Sequence, residues 1–430
     1  MKMKKLSQAG VFGLAVVGLL AVLPPAVHRA RRLCPARPDG VSQASAMPQF
    51  ARRYGVDCSV CHTTVPELTV AGYKFRRAGY RMPDEIGAEA KFANISDMYS
   101  ARIREQFKIT GSATDGTAAN AKVKASNKFL FHEFTFYPIS GAFGKYWSSL
   151  TELTVGESGG AAELENAYIR ATYPLTSDAY VTARAGIFHP FEGYGGSDRP
   201  VSNLRPAFQG TAVGPFAGLG TKVWGQDQEG LEVGATWKDA NLTVSVLNGY
   251  DSTKDAANEG ETDNNRDFLV FFNQFIGEKA AVSAEFLHGK TPYAYAGAGD
   301  TWTDSYQKGA LYANYKVLGD KLNILGGYGL NKDHSVNAAT NDVSGTITSQ
   351  GWYATAESKL HEHLTGVLRY DTFSPNTHKL DGRISNWTLT AAVPFDHVKF
   401  LVDYQLKRTK KLAGKDRTDN TLAAEWMVIF

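Results

Sequence analysis

The chain has 430 residues and sets 46 Lys and Arg against 43 Asp and Glu; a formal net charge of only +3 gives nucleic-acid binding no electrostatic support. Aromatic side chains make up 12% of it, glycine supplies 42 residues and mean hydropathy is −0.28. That balance argues against a bundle of transmembrane helices and for extended, turn-rich β structure.

The N-terminus reads as an export signal, with Met1-Lys2-Met3-Lys4-Lys5 ahead of an apolar stretch from Val11 to Leu23 that is too short to span a bilayer comfortably. An A-x-A site stands at Ala44-Ser45-Ala46, beyond the basic segment Arg29 to Arg32, and an earlier site is the alternative. Residues 1–46 are therefore expected to be removed, and Cys34 with them, leaving Cys58 and Cys61 as the cysteines of the mature chain. Cys34 is a poor acylation site because Arg31-Arg32-Leu33 puts bulky and charged groups in front of it.

Residues 47–94 form the next unit, and Cys58-Ser59-Val60-Cys61-His62 dominates it. In a C-x-x-C-H motif two thiols add to the vinyl groups of one porphyrin while the adjacent imidazole reaches the iron. One covalently bound c-type haem is thus expected, with Cys58 and Cys61 as thioethers and His62 as proximal ligand. A redox dithiol would not need His62, and a zinc site would need two further ligands that the neighbourhood does not offer. Met82, in Gly79-Tyr80-Arg81-Met82-Pro83, is the nearest thioether and the candidate distal ligand; Met98, a lumenal histidine or water are the alternatives. Phe50, Tyr54, Leu68, Phe75 and Tyr80 are spaced for two short helices folding over a porphyrin, with Pro66 in a first turn and Gly79 as a terminator. So small a unit rarely holds a core alone and is expected to lean on the rest of the chain.

Residues 95–430 change to period-two segments of roughly ten residues, the pattern of strands with one face to lipid and one to water. Val398, Phe400, Val402, Tyr404 and Leu406 alternate with Lys399, Leu401, Asp403, Gln405 and Lys407, whereas Phe268 to Phe275 is apolar on both sides and resists a face assignment. About sixteen such segments are expected, starting near 96, 126, 145, 162, 178, 229, 240, 266, 279, 304, 321, 349, 363, 385, 396 and 418. Spacers alternate between short ones, as at Lys238-Asp239-Ala240 and Pro394-Phe395-Asp396, and long ones, as at 189–228 and 249–265. Short periplasmic turns and long outer loops would put both barrel ends, and the 47–94 unit, on the periplasmic side. The chain closes with Leu422, Ala424, Trp426, Val428 and Phe430 on one face, an aromatic ending of the kind outer-membrane barrels use. The expected fold is a transmembrane antiparallel β-barrel of about 16 strands carrying a small N-terminal α-helical monohaem cytochrome c module. A soluble β-sandwich would not need the length asymmetry, the strand number and the aromatic ending together.

Motif and barrel together resemble the fused monohaem cytochrome-porins of the outer membrane, whose best-known members are regarded as Fe(II) oxidases. The likeness lies in Phe50-Ala51-Arg52-Arg53-Tyr54-Gly55 before the haem motif, then Pro66, Leu68, Gly72, Phe75-Arg76 and Gly79-Tyr80, and a barrel without a second motif. It implies a Gram-negative outer-membrane protein, embedded in lipid, with its haem unit on the periplasmic side or in the lumen. It also implies an oxidoreductase of the iron:cytochrome c type, acting by outer-sphere electron transfer from extracellular Fe(II) or another donor to a periplasmic c-type cytochrome or similar carrier. Cys58, Cys61 and His62 carry over from the family; Met82 does not.

An electron cannot cross about 30 Å of hydrocarbon without a carrier inside it, so a haem unit plugging the lumen is the expected arrangement. A loop carrying Asp251, Asp255, Glu259, Glu261, Asp263 and Asp267 against Lys254 and Arg266 would gather cations outside, or is simply a solvated loop. His189, His288, His334 and His378 fall in or near outer loops without the spacing of a ligand cluster. Two other classes stay open: an outward electron conduit, and a diffusion porin in which the haem unit is structural. A high midpoint potential would separate inward transfer from outward transfer.

Overall fold

Alternation of side chains with period two places successive residues on opposite faces of a strand, and a sheet built of such strands has one surface to hide from each solvent. The computed structural model describes residues 47–92, 94–114, 124–156, 162–194, 199–210, 228–249, 265–294, 301–319, 321–337, 342–379, 382–395, 397–410 and 416–430. The expected leader, with Cys34 and the Ala44-Ser45-Ala46 site, and the acidic residues from Asp251 to Asp263 lie outside the described residues.

The strands are β1 (Ser100–Thr114), β2 (Lys124–Tyr137), β3 (Ser140–Phe143), β4 (Trp147–Val155), β5 (Ala162–Thr176), β6 (Ala179–Phe188), β7 (Gln228–Trp237), β8 (Ala240–Leu247) and β9 (Asp267–Ile276). They continue as β10 (Ala280–Ala294), β11 (Thr301–Lys316), β12 (Leu322–Asn337), β13 (Asp342–His361), β14 (Leu364–Ser374), β15 (Ile384–Phe395), β16 (Val398–Thr409) and β17 (Arg417–Ile429). All join one antiparallel sheet, and β1 pairs with both β2 and β17, which closes it. Short β3 resumes the edge of β2, since both pair with β4. The described wall is therefore a barrel of 16 strands.

Expected strand starts fall close to the observed ones, with two departures. Ile95–Asp97 is a short 3-10 turn with an Asn94–Asp97 capping box, so the wall begins at Ser100, and β13 starts at Asp342 rather than near 349. On β16, Phe400, Val402 and Tyr404 face outward while Lys399, Leu401 and Asp403 are buried inside. Strand β9 explains its double apolar pattern: Phe268, Val270 and Phe272 form the outer surface, and Leu269, Phe271 and Phe275 face inward against aromatic groups packed within the barrel. An inner face that met water would not be built so.

Two segments fill the lumen. The first is 47–92, with helices α1 (Pro48–Tyr54) and α2 (Val70–Arg77). Pro48 starts α1 and Gly55 ends it in the left-handed region (φ 59°). Thr69 caps α2 by accepting from the Gly72 amide, and Gly79 (φ 72°) terminates it as expected. Pro66 does not open a helix; it sits three residues before that cap. The segment docks near the short turns: Lys74 pairs with Asp239 at 2.7 Å, Lys399 donates to the Val65 carbonyl at 3.1 Å, and Thr64 bonds Thr365 at 2.7 Å. Arg81, fully buried, donates to the carbonyls of Phe143, Gly144 and Trp147. Phe75 and Tyr80 join wall residues Tyr137, Leu150 and Tyr168 in one apolar cluster.

The second lumenal segment corrects an expectation. Residues 189–194 and 199–210, expected as outer loop, fold inward instead, because Phe191, Tyr194, Val201 and Phe208 are apolar and would be costly in water. Ser202 and the Asn203 amide donate to Asp403 at 2.8 and 3.0 Å, and the Ala207 amide donates to Asp371 at 2.9 Å. Phe208 stacks on Tyr312 and Tyr353 over Gly329 and Gly351, where a Cβ would strike its ring or side chain. Asp267 is likewise no loop residue: it opens β9, buried, and accepts from Tyr306 at 2.5 Å.

Candidate functional site

Asp57 accepts from the Ser59 amide at 2.8 Å and caps a 3-10 turn over Cys58–Val60. The Cys61 and His62 amides donate back to the Cys58 carbonyl at 3.1 and 2.9 Å, so the two thiols and the imidazole leave one tight loop. Helix α2 is tied to that loop at its first turn. The Thr69 hydroxyl donates to the Val60 carbonyl at 2.7 Å, and the Thr69 amide donates to the Cys61 carbonyl at 3.0 Å. Gly72 then passes so near that any Cβ would collide with the Cys61 carbonyl.

His62 Nδ1 lies 3.3 Å from the Glu67 carbonyl, the partner that fixes a ligating imidazole's tautomer and leaves Nε2 for a metal. Burial pushes His62 down to about 4, so its ring is neutral and able to coordinate at neutral pH. Burial, with Cys58 adding to it, raises the Cys61 thiol to about 11. Cys58 and Cys61 are not joined in a disulfide.

Cys58, Cys61 and His62 open onto a cavity, partly open to solvent, between segment 47–92 and the barrel wall. Phe50, Tyr54, Pro66, Leu68, Phe75, Tyr80 and Met82 line one part of it; Arg102, Tyr137, Leu150, Glu152 and Asn166 of the wall line another. Phe50 stacks on Tyr80 at 4.9 Å and meets Phe75 edge-on at 5.2 Å. The five apolar residues singled out from spacing, Phe50, Tyr54, Leu68, Phe75 and Tyr80, are thus brought together, and Met82 with them. Met98 is absent from the lining. Paired thiols, a neutral imidazole with one nitrogen oriented, aromatic walls and arginines for carboxylates are the donor set a covalently held porphyrin needs. No cluster of three or more His, Cys, Asp and Glu suited to a bare metal ion occurs among the described residues.

Sequence reasoning missed the contribution of the 189–210 segment. His189, Glu192 and Arg199 also line the cavity. Glu192 is buried among arginines: Arg184 at 2.6 Å, Arg77 at 3.0 Å, Arg76 at 3.3 Å and Arg170 at 3.6 Å. Burial alone would raise its carboxyl, but Arg184, Arg76, Arg77 and Arg170 outweigh that and hold it well below the usual carboxylate range. The only sequence signal was the density of aromatic residues in an expected outer loop.

No family model matches the chain, and no curated protein matches it. Among solved structures, the anion-selective porin from Comamonas acidovorans aligns over 77% of this chain and 98% of its own, with 11% identity and a TM-score of 0.54. OmpF of Salmonella typhi, in complex with daunomycin, covers 77% and 97% at 10% identity and a TM-score of 0.50. The outer membrane channel DcaP of Acinetobacter baumannii covers 77% and 96% at 14% identity and a TM-score of 0.48. The chain is similar in fold to the first two of these.

Proposed function

We propose that the chain is an outer-membrane electron-transfer protein, a porin-type barrel whose lumen holds a c-type haem attached at Cys58 and Cys61 and ligated by His62. The observation that carries this reading is the position of the C-x-x-C-H loop: Cys58, Cys61 and His62 line an aromatic-walled cavity together with residues of the barrel wall. A bound haem supplies a one-electron couple at a depth the hydrocarbon would otherwise make inaccessible. The chain's own groups do the rest. Glu67 orients His62 through its carbonyl; Cys58 and Cys61 would anchor the haem, Phe50, Phe75 and Tyr80 would exclude water from it, and Arg76, Arg102 and Arg199 would offer positive charge to its propionates. The donor proposed is extracellular Fe(II) and the acceptor a periplasmic cytochrome, following the family resemblance of the motif region.

A diffusion porin with a structural haem unit is the second reading, and the porin fold of the structural neighbours favours it. Both are tested on full-length protein made with cytochrome c maturation machinery. Electron transfer requires covalent haem on the folded barrel and rapid reduction of its ferric form by Fe2+. Haem that Fe2+ leaves oxidised, in a barrel that conducts ions freely across a planar bilayer, would establish the porin instead.

A further inference from the structure

Strand β6 ends at Phe188, which is fully buried, and His189 follows it directly into the lumen. Its amide donates to Asn166 Oδ1 of the wall at 3.4 Å. Three residues later Glu192 is gripped by Arg170 and Arg184 of the wall and by Arg76 and Arg77 of helix α2. His189 is therefore held at both ends, and the same clamp binds its segment to the helix that Gly72 and Thr69 fasten to the Cys58–His62 loop. His189 lines the cavity that His62 lines. Met82 lines it too, and, partly buried, it packs against the same apolar cluster as Met47, Phe50 and Tyr54.

We infer that His189, delivered from the barrel rather than from the cytochrome segment, is the second axial ligand of the haem iron. The inference rests on the haem reading above. Its consequence is that the iron is six-coordinate only when the 189–194 segment and helix α2 are docked together, so that ligation reports assembly of the plug.

The test compares full-length wild type with His189→Ala, His189→Met and Met82→Leu, all produced with maturation machinery and checked for barrel folding by heat-modifiable gel mobility. Expected results are a low-spin ferric spectrum in wild type and Met82→Leu, and conversion of His189→Ala to high spin with return to low spin on adding imidazole. His189→Met should gain a sulfur-to-iron charge-transfer band that wild type lacks. A low-spin spectrum retained in folded His189→Ala, or such a band in wild type that Met82→Leu abolishes, overturns the assignment while leaving the haem in place. Wild-type protein without covalent porphyrin by the pyridine haemochrome assay overturns both.

Discussion

Gly72 illustrates how one backbone position ties the motif to its surroundings. Its value lies in lacking a Cβ beside the Cys61 carbonyl, an approach made by backbone and so unable to yield by a side-chain rotation. Gly72→Ala should cost about 1–3 kcal/mol of local stability. The loss should appear as faster hydrogen exchange at the Thr69–Phe75 amides. Unchanged exchange would show that the loop and helix are not coupled there. Cys58, Cys61 and His62 were readable as a unit because they fall within five consecutive residues of one motif. Gly72 stood out only within the resemblance, since a glycine's reason is the neighbour that approaches it.

Among elements, the contact between α2 and the inward-folded 189–194 segment is the most exacting. It collects Arg76, Arg77, Arg170 and Arg184 around Glu192, and Arg184 also pairs with Glu232 at 2.6 Å. Breaking a buried pair leaves an uncompensated charge, so Glu192→Gln should weaken docking by about 3–5 kcal/mol at neutral pH. Limited proteolysis of segment 47–92 in detergent measures this, and a wild-type cleavage rate would refute it. The pH dependence has a definite sign. The folded Glu192 carboxyl lies below its unfolded value, so its stabilisation is complete above about pH 4.3 and is lost as pH falls through the lower folded value. Docking should hold from neutral pH to about 4 and loosen only in stronger acid, and Glu192→Gln should lack that acid limb.

For the whole molecule, the outward surface decides the solvent. Leu389, exposed on the outer face near the middle of β15, contrasts with Thr388 and Thr390, buried toward the lumen. Leu389→Arg should cost about 2–4 kcal/mol in lipid, seen as a reduced folded fraction in refolding with vesicles. If it folded in vesicles as well as wild type, the outer face would not be a lipid face. A filled lumen predicts a second global property: conductance well below that of an open porin, rising in Glu192→Gln as the plug loosens. Equal, high conductance of wild type and variant would mean that segments 47–92 and 189–210 do not obstruct the pore.

Strand number, the faces of the alternating strands, the short-turn end and the C-x-x-C-H motif were determined by the sequence alone, because each depends on residues a few positions apart: period-two alternation, turn length, thiol spacing. The inner face of β9 marks the boundary. From the sequence, Phe268 to Phe275 was apolar on both sides and gave no face; the structure turns Leu269, Phe271 and Phe275 inward. Only the tertiary structure decided that Tyr73 of α2 and Phe191 and Tyr194 of a supposed outer loop cover them, and that His189, Glu192 and Arg199 join the motif's cavity. Apart from Tyr73, those partners lie more than a hundred residues from Cys58 and meet it because barrel closure brings them to one lumen, a geometric consequence that no local pattern carries.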